Sequence, residues 1–435
     1  MKRARAIKLT GTDAGGTMTD MFVVDEHGEF TIGKAESNTE ESISYWNALA
    51  DATGYWDIEW DKDAKRFLPG AEVMVYSGTT ILNVLVTRTG RKLGLICTRG
   101  NESTLQHERA KSVCAGYSQA DRLHQVAHIH NEPLVPRKLI KGVTERIDPM
   151  GQVVIPLYEH EVREATEYLL GKGIEGIVIW LLFSYLNPTH EMKAAGIVAD
   201  VMEKNGVRVP VFLSSEICPI WREVSRLNST LLHAYAADQV AKRLLRIEDR
   251  LKTNGYRFPL QMVLSSAGLA SIRYPRLHEA TNSGPIGGIM GGQYLSHELG
   301  IQNLVCTDVG GTTLDVGLLM QGEPVILREV EMAHMLFNVP SVAVDSIGAG
   351  TGSYLRLQSE TRRLEIGPES AGYDPGPVAY DKGNETPTIM DCCLVTGILN
   401  PDYHLGGRVK PGTGQPSGRR VIEKRSGGFL ERTVS

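Results

Sequence analysis

The six cysteines lie scattered through 435 residues without one Cys-x-x-Cys pair. That spacing argues against a disulfide framework and for reduced thiols in the cytoplasm. Adjacent Cys392 and Cys393 leave two readings, a redox pair or small structural residues. Long hydrophobic runs are missing as well. The most apolar stretch, Gly176-Ile-Val-Ile-Trp-Leu-Leu-Phe183, is far too short to span a bilayer and reads as a buried parallel strand. Positive charge is not in excess: the net charge is −5, so neither nucleic acid nor an anionic membrane is an expected partner. The basic start Met-Lys-Arg-Ala-Arg runs straight into strand-like sequence without an apolar core, so no secretory signal is expected and the cytoplasm is the expected location.

What remains is an ordinary globular composition, 42% apolar and 22% charged over 435 residues, enough for two or three domains. Alternation around a glycine turn predicts two strands at the start, 7–10 and 21–24, with a third at 30–34. A helix over about 39–49 follows, with Ser37 and Asn38 as its expected cap. Strand–helix alternation then predicts a mixed sheet with covering helices, an α/β fold. Residues 101–156 read as a polar, proline-punctuated insert, and 220–253 as the strongest amphipathic helix. Residues 1–205 form one expected lobe and 206–410 a second. The segment 411–435 carries no periodicity and is expected to be irregular.

Two short strings carry the chemistry. Thr12-Asp13-Ala-Gly15-Gly16-Thr17 and Thr307-Asp308-Val-Gly310-Gly311-Thr312 are near copies, each between two apolar strands. Each is followed at the same offset by another acid, Asp20 and Asp315. Paired glycines let a backbone approach a phosphate closely and offer it N–H donors, while threonine hydroxyls add further donors. An aspartate at the end of each incoming strand can orient water on a phosphate-bound Mg²⁺. One such string is also a plain β-turn; two in separate halves are a phosphate clamp. No helix opens directly after the glycines, so neither a Walker-type loop nor a dinucleotide fingerprint is present.

The duplicated hairpin resembles the signature of the actin-like ATPase superfamily, with its ribonuclease H-like fold. Further strings resemble hydantoinase A/oxoprolinase subunits in family order: Ser77-Gly-Thr-Thr-Ile-Leu-Asn83, Leu182-Phe-Ser-Tyr-Leu-Asn-Pro188, Ser283-Gly-Pro-Ile-Gly-Gly288, Ser346-Ile-Gly-Ala-Gly350, Gly367-Pro-Glu-Ser-Ala-Gly372 and Leu399-Asn-Pro-Asp-Tyr-His-Leu-Gly-Gly407. Asp13–Asp20, Glu132-Pro-Leu-Val-Pro-Arg137 and Val344-Asp-Ser-Ile-Gly348 most resemble the ATP-binding subunit of acetone carboxylases within that family.

The resemblance implies ATP and Mg²⁺ as cofactors and phosphoryl-transfer activation of a ketone and bicarbonate. It also implies two partners, a Mn²⁺-bearing hydantoinase B-like subunit and a small third subunit. By position, Asp13, Gly15, Gly16, Thr17 and Thr19 resemble the first phosphate loop. Asp308, Gly310, Gly311, Thr312 and Thr313 resemble the second, with Asp13 and Asp308 as the metal-facing acids. Thr79 and Thr80 either present donors to an anion or cap a helix. The glycines of 283–288 either open a binding helix or allow close packing. Asp345 is either a third acid in the cleft or a turn residue. Glu216, Arg222, Glu223 and Arg226 either line a substrate cleft or form a salt-bridged face. His124, His128 and His130 lack the carboxylate spacing of a metal site.

After Lys410 the sequence departs from the family, and a GGxGP-like adenosine loop is not found. An incomplete second lobe, with apolar surface left uncovered, is the expectation.

Overall fold

The computed structural model describes residues 6–16, 18–38, 40–107, 123, 132–358, 362–372 and 374–400. Thr17, the three histidines 124, 128 and 130 and the tail 411–435 lie outside the described residues.

The chain opens as an antiparallel meander, β1 (Ile7–Ala14), β2 (Met18–Asp25) and β3 (Phe30–Glu36). Helix α1 (Glu41–Gly54) crosses back over it. The crossing is close because Gly33 has no side chain; a Cβ there would lie 2.3 Å from the Ala48 carbonyl and the Ala52 nitrogen. Ser37 and Asn38 do not cap α1: the Asn38 N–H donates to Ser44 Oγ at 2.6 Å, and Asn38 Oδ1 accepts from Glu40 N at 3.0 Å. The pair shapes the turn before the helix rather than its first orphan donors.

Strand β4 (Val73–Gly78) pairs in parallel with β1 and leads into a short helix, α2 (Thr80–Val86). A second, parallel sheet contains β5 (Leu93–Thr98), β6 (Ile140–Val143), β7 (Gly176–Trp180) and β8 (Val211–Leu213) in the order β8–β7–β5–β6. Every residue of β5 and β7 is buried, as a parallel strand covered on both faces requires. Strand β6 falls within the stretch read as a loop-rich insert. It pairs with β5 because Ile140 and Val143 face the core, although Lys141 and Gly142 hide that pattern in sequence.

Helices α3 (Glu159–Leu170) and α4 (Thr189–Asn205) cover this sheet. The long helical segment begins at α5 (Glu223–Leu232), passes a π-turn at His233–Ala237 and continues as α6 (Asp238–Thr253). It starts later than periodicity suggests because Arg222 sits at φ 76°. Strands β9 (Gln261–Val263) and β10 (Leu269–Ser271) then return to the first sheet, whose order is β10–β9–β4–β1–β2–β3. Hydrogen bonds of one six-stranded sheet therefore bridge residues on both sides of position 205.

Helix α7 (Ser283–Leu299) leads to the second glycine hairpin, β11 (Leu304–Val309) and β12 (Leu314–Met320), flanked by β13 (Val344–Ile347). One large apolar core joins the first two sheets. Among the described residues, the third sheet and α7 meet in a small cluster, Ile286, Ile289 and Leu319, with Val342 beside it. Its other face is uncovered: Val305, Val309, Leu318, Met320 and Ile347 are all exposed. Among the described residues, no helix is long and apolar enough to cross a membrane.

Candidate nucleotide-phosphate site

The repeated string folds into a repeated structure. In the first hairpin Asp13 stands opposite Asp20, and the Gly15 N–H donates to the Met18 carbonyl at 3.0 Å. In the second, Asp308 stands opposite Asp315, and the Gly310 N–H donates to the Thr313 carbonyl at 2.9 Å. These tight turns leave the N–H groups of Gly16, Gly311 and Thr312 without a backbone partner among the described residues. Such donors suit the oxygens of a phosphate chain.

The second turn rests on the glycine run 348–352. The N–H groups of Gly350, Thr351 and Gly352 donate to the carbonyls of Thr312, Gly310 and Gly311 at 3.2, 2.9 and 2.7 Å. A Cβ on Gly350 would lie 2.5 Å from the Thr312 backbone, and one on Gly352 would lie 2.8 Å from the Gly311 oxygen. Gly350→Ala is therefore expected to cost about 2–3 kcal/mol, because backbone must move away from backbone. Gly287→Ala on α7, where a Cβ meets nothing within 4 Å, is expected to gain about 0.5–1 kcal/mol. Urea denaturation of both variants checks the contrast.

The two hairpins sense each other electrostatically. Solvent reaches Asp13, yet the surrounding protein desolvates its carboxyl. That desolvation, then the Asp308 charge, then the Asp20 charge push it up to about 6. Burial, followed by the charges of Asp315 and Asp20, raises the Asp308 carboxyl as well. Asp13 thus lies within electrostatic reach of Asp308 across the crevice between the two turns. Lys34 Nζ grips both oxygens of Asp20 at 2.7 and 2.9 Å, while Thr313 Oγ1, at 3.1 Å, and Ser346 Oγ hold Asp315. No cluster of three or more ligand side chains forms among the described residues. A cation here would depend on the phosphates for most of its ligands.

The other expected residues divide. The Ser283 hydroxyl donates to the Gly78 carbonyl and accepts its N–H, both at 2.9 Å, which hooks the tip of α7 onto β4. Gly284 is a close-packing glycine, since a Cβ would lie 2.8 Å from Asp13 Oδ1; Gly287 and Gly288 are open. Thr79 precedes α2 without a side-chain cap bond. Thr80 and Thr19 line a cavity of about 320 Å³ beside the first turn. Thr19 Oγ1 also lies 3.2 Å from Ser37 Oγ.

Asp345 is not brought to the crevice. Ser346 faces Asp315, and strand alternation turns its neighbour Asp345 to the opposite face of the sheet. Of the helix-start residues, Glu216 and Arg222 are exposed, whereas Arg226 is fully buried. Lys34, and the role of Ser346 within its motif, escaped sequence reasoning because only strand pairing delivers them, Lys34 across from Asp20 and Ser346 across from Asp315.

Comparison with known proteins identifies the family. The hydantoinase/oxoprolinase N-terminal region matches residues 10–202, and the hydantoinase/oxoprolinase domain matches 226–415. The chain is 42% identical over 407 residues to the acetone carboxylase beta subunit of Xanthobacter autotrophicus, covering 93% of this chain and 56% of that protein. It is 34% identical to the acetophenone carboxylase gamma subunit of Aromatoleum aromaticum, covering 93% and 55%. A nucleotide-free acetone carboxylase structure superposes with a TM-score of 0.87 at 40% identity, covering 98% of this chain and 60% of that one. The ATP-dependent caprolactamase of Pseudomonas jessenii superposes at 0.72 and 28% identity, covering 98% and 60%. The chain thus spans little more than half the length of these relatives. With its actin-like ATPase fold and paired hairpins, the chain belongs to the hydantoinase/oxoprolinase family.

Proposed function

We propose that this chain is the ATP-binding subunit of an ATP-dependent ketone carboxylase, activating acetone and bicarbonate by phosphoryl transfer toward acetoacetate. One observation carries the reading: in two matching hairpins from separate halves, the Asp308 charge acts on Asp13 and the Asp20 charge acts on Asp308. The resemblance to two carboxylase subunits supports the substrate class.

The residues fit a magnesium–nucleotide group. A divalent cation held by Asp13 and Asp308 would offset the neighbouring negative charges that, after desolvation, raise both carboxyls. Gly16, Gly311 and Thr312 would donate N–H groups to phosphate oxygens, with Gly15 and Gly310 keeping the turns tight. ATP when bound supplies the transferable phosphoryl group. The chain's own part is positioning and charge neutralisation. Lys34 fixes Asp20, and Thr313 and Ser346 fix Asp315, so both flanking acids are held beside the crevice. The carboxylation centre, with Mn²⁺, would lie on a hydantoinase B-like partner, alongside a small third subunit.

ATP turnover by the chain assembled with those partners tests the reading. Stimulation by acetone plus bicarbonate, with AMP released, is expected. Stimulation by oxoproline with ADP released would move the assignment to cyclic-amide hydrolysis. ATP-driven partner release without any small-molecule stimulation would make it a nucleotide-switched binding module. Failure to bind Mg-ATP at all would overturn the hairpin assignment and mark the chain as inactive.

A further inference from the structure

We propose that the cavity beside the first hairpin is a binding site for a small hydroxyl-bearing oxyanion of the hydrogencarbonate type, held by Arg243, Glu41 and Tyr76. The inference rests on the carboxylase reading above and assigns one substrate to one place.

The cavity holds about 320 Å³ and borders the turn residues Gly15 and Gly16. Three of its lining groups come from elements distant in sequence. Glu41 begins α1, Tyr76 lies on β4 and Arg243 projects from α6. Arg243 Nη1 donates to Glu41 Oε1 at 2.9 Å, and this is the only hydrogen bond of Arg243 among the described residues. The second carboxylate oxygen, Oε2, is buried without a partner. The hydroxyl of Tyr76 is also buried and makes no hydrogen bond of full geometry, its interaction with the Thr80 side chain on the cavity wall being a weak one, although its ring packs fully in the core. A buried polar atom left unmatched costs about 1–3 kcal/mol, so two of them bordering one cavity mark a place for a ligand.

The pattern of donors and acceptors selects the ligand. Glu41 Oε2 requires a donor. Arg243 has N–H groups to spare, and the Tyr76 hydroxyl can donate as well. Hydrogencarbonate carries one O–H for Glu41 and oxygens that accept from Arg243 and Tyr76. A ketone carbonyl only accepts, so it would leave Glu41 Oε2 unmatched. Burial also holds the Glu41 carboxyl above its ordinary range, which lowers the penalty of bringing an anion beside it. A purely structural tie between α1 and α6 does not account for these atoms. That tie is already made by the adjacent Arg246–Glu40 pair at 2.8 Å, and neither Glu41 Oε2 nor Tyr76 Oη takes part in it.

Line broadening of ¹³C-hydrogencarbonate by the full chain, with and without Mg-ATP, measures the Kd. Tyr76→Phe keeps the ring and Glu41→Gln keeps the shape. Each is expected to weaken hydrogencarbonate binding about tenfold while the thermal midpoint and Mg-ATP affinity hold. Arg246→Lys is expected to leave hydrogencarbonate binding unchanged, and acetone is expected not to displace the anion. Binding by Tyr76→Phe and Glu41→Gln within about twofold of wild type would overturn the proposal. Loss of Mg-ATP binding by the wild-type chain, with hydrogencarbonate binding intact, would instead sink the nucleotide reading and leave this site standing.

Discussion

Replacing Asp13 by asparagine is expected to lower ATP turnover by about 10²–10³-fold, the scale of losing one preorganised charged group at a phosphoryl-transfer site. The same variant is expected to be more stable than wild type when metal and nucleotide are absent. In the folded chain the Asp13 carboxyl titrates at about 6, above its ordinary 3.8, chiefly through desolvation and then the charges of Asp308 and Asp20. A raised carboxyl binds its proton more tightly in the folded state. Its stabilising contribution is therefore complete below about 3.8 and disappears as the pH rises through about 6. Asparagine has nothing to lose over that window. Solvent reaches Asp13, so the full shift overstates the gain, and about 1 kcal/mol is the discounted expectation near neutral pH. Urea midpoints of both proteins in a chelator at about pH 5 and about pH 8 check it. Equal midpoints at the higher pH would show that the crevice does not load this carboxylate with repulsion. Lower stability would point to a structural role for its contact with Ser77 Oγ, at 3.5 Å.

The second large effect is expected far from the phosphates. Arg226 is 0% exposed, and its guanidinium organises the turn that follows β7. Nη1 donates to Ser184 Oγ at 2.6 Å and to Ser214 Oγ, Nη2 donates to the Leu181 carbonyl at 2.7 Å, and Nε donates to Glu223 Oε2 at 3.1 Å. Glu191 lies 3.9 Å away and accepts the N–H groups of Leu181 and Ser215 at 3.0 and 2.9 Å. Glu223 Oε1 accepts the N–H of Phe183, whose φ of 59° is uncommon for that residue type. Arg226→Ala would leave Glu191 and Glu223 without their counter-charge in a buried setting. The expected cost is about 3–5 kcal/mol. Arg226→Lys is expected to recover only a minor part, because an ammonium lacks the fixed fork that reaches these separated acceptors. Trp180, whose ring lies 5.8 Å from the guanidinium carbon, is a built-in fluorescence reporter for the urea curves. Loss of less than about 1 kcal/mol in the alanine variant would show that the network is replaceable by water.

Arg226 also illustrates what could be read from the sequence and what could not. The string Leu182-Phe-Ser-Tyr-Leu-Asn-Pro188 was visible as a motif, and an amphipathic helix was expected over 220–253, although it begins only at Glu223. Nothing in either shows that the helix buries Arg226 against that string, because the contact depends on how the second sheet stacks. The phosphate hairpins were legible for a different reason. Strand, aspartate, two glycines, threonine and strand are contiguous, and the equal offset of Asp20 and Asp315 survives folding as two directly paired positions. Asp345 shows the limit of contiguity. It adjoins a residue that does reach the site, Ser346, and the pleat alone turns it away. Glu41 and Arg243 stand 202 positions apart, so no local pattern joins them. The division at position 205 ran between two helical segments, whereas hydrogen bonding carries Gln261–Val263 back to the opening sheet.

The hook between Ser283 and Gly78 ties both turns to one helix. One end of α7 is latched to the strand beside the first turn, and its shaft bears on Cys306 and Gly317 beneath the second. The two turns are therefore coupled through a strut with a pinned foot. Any widening of the gap must rotate that strut about its pin or unfasten two hydrogen bonds.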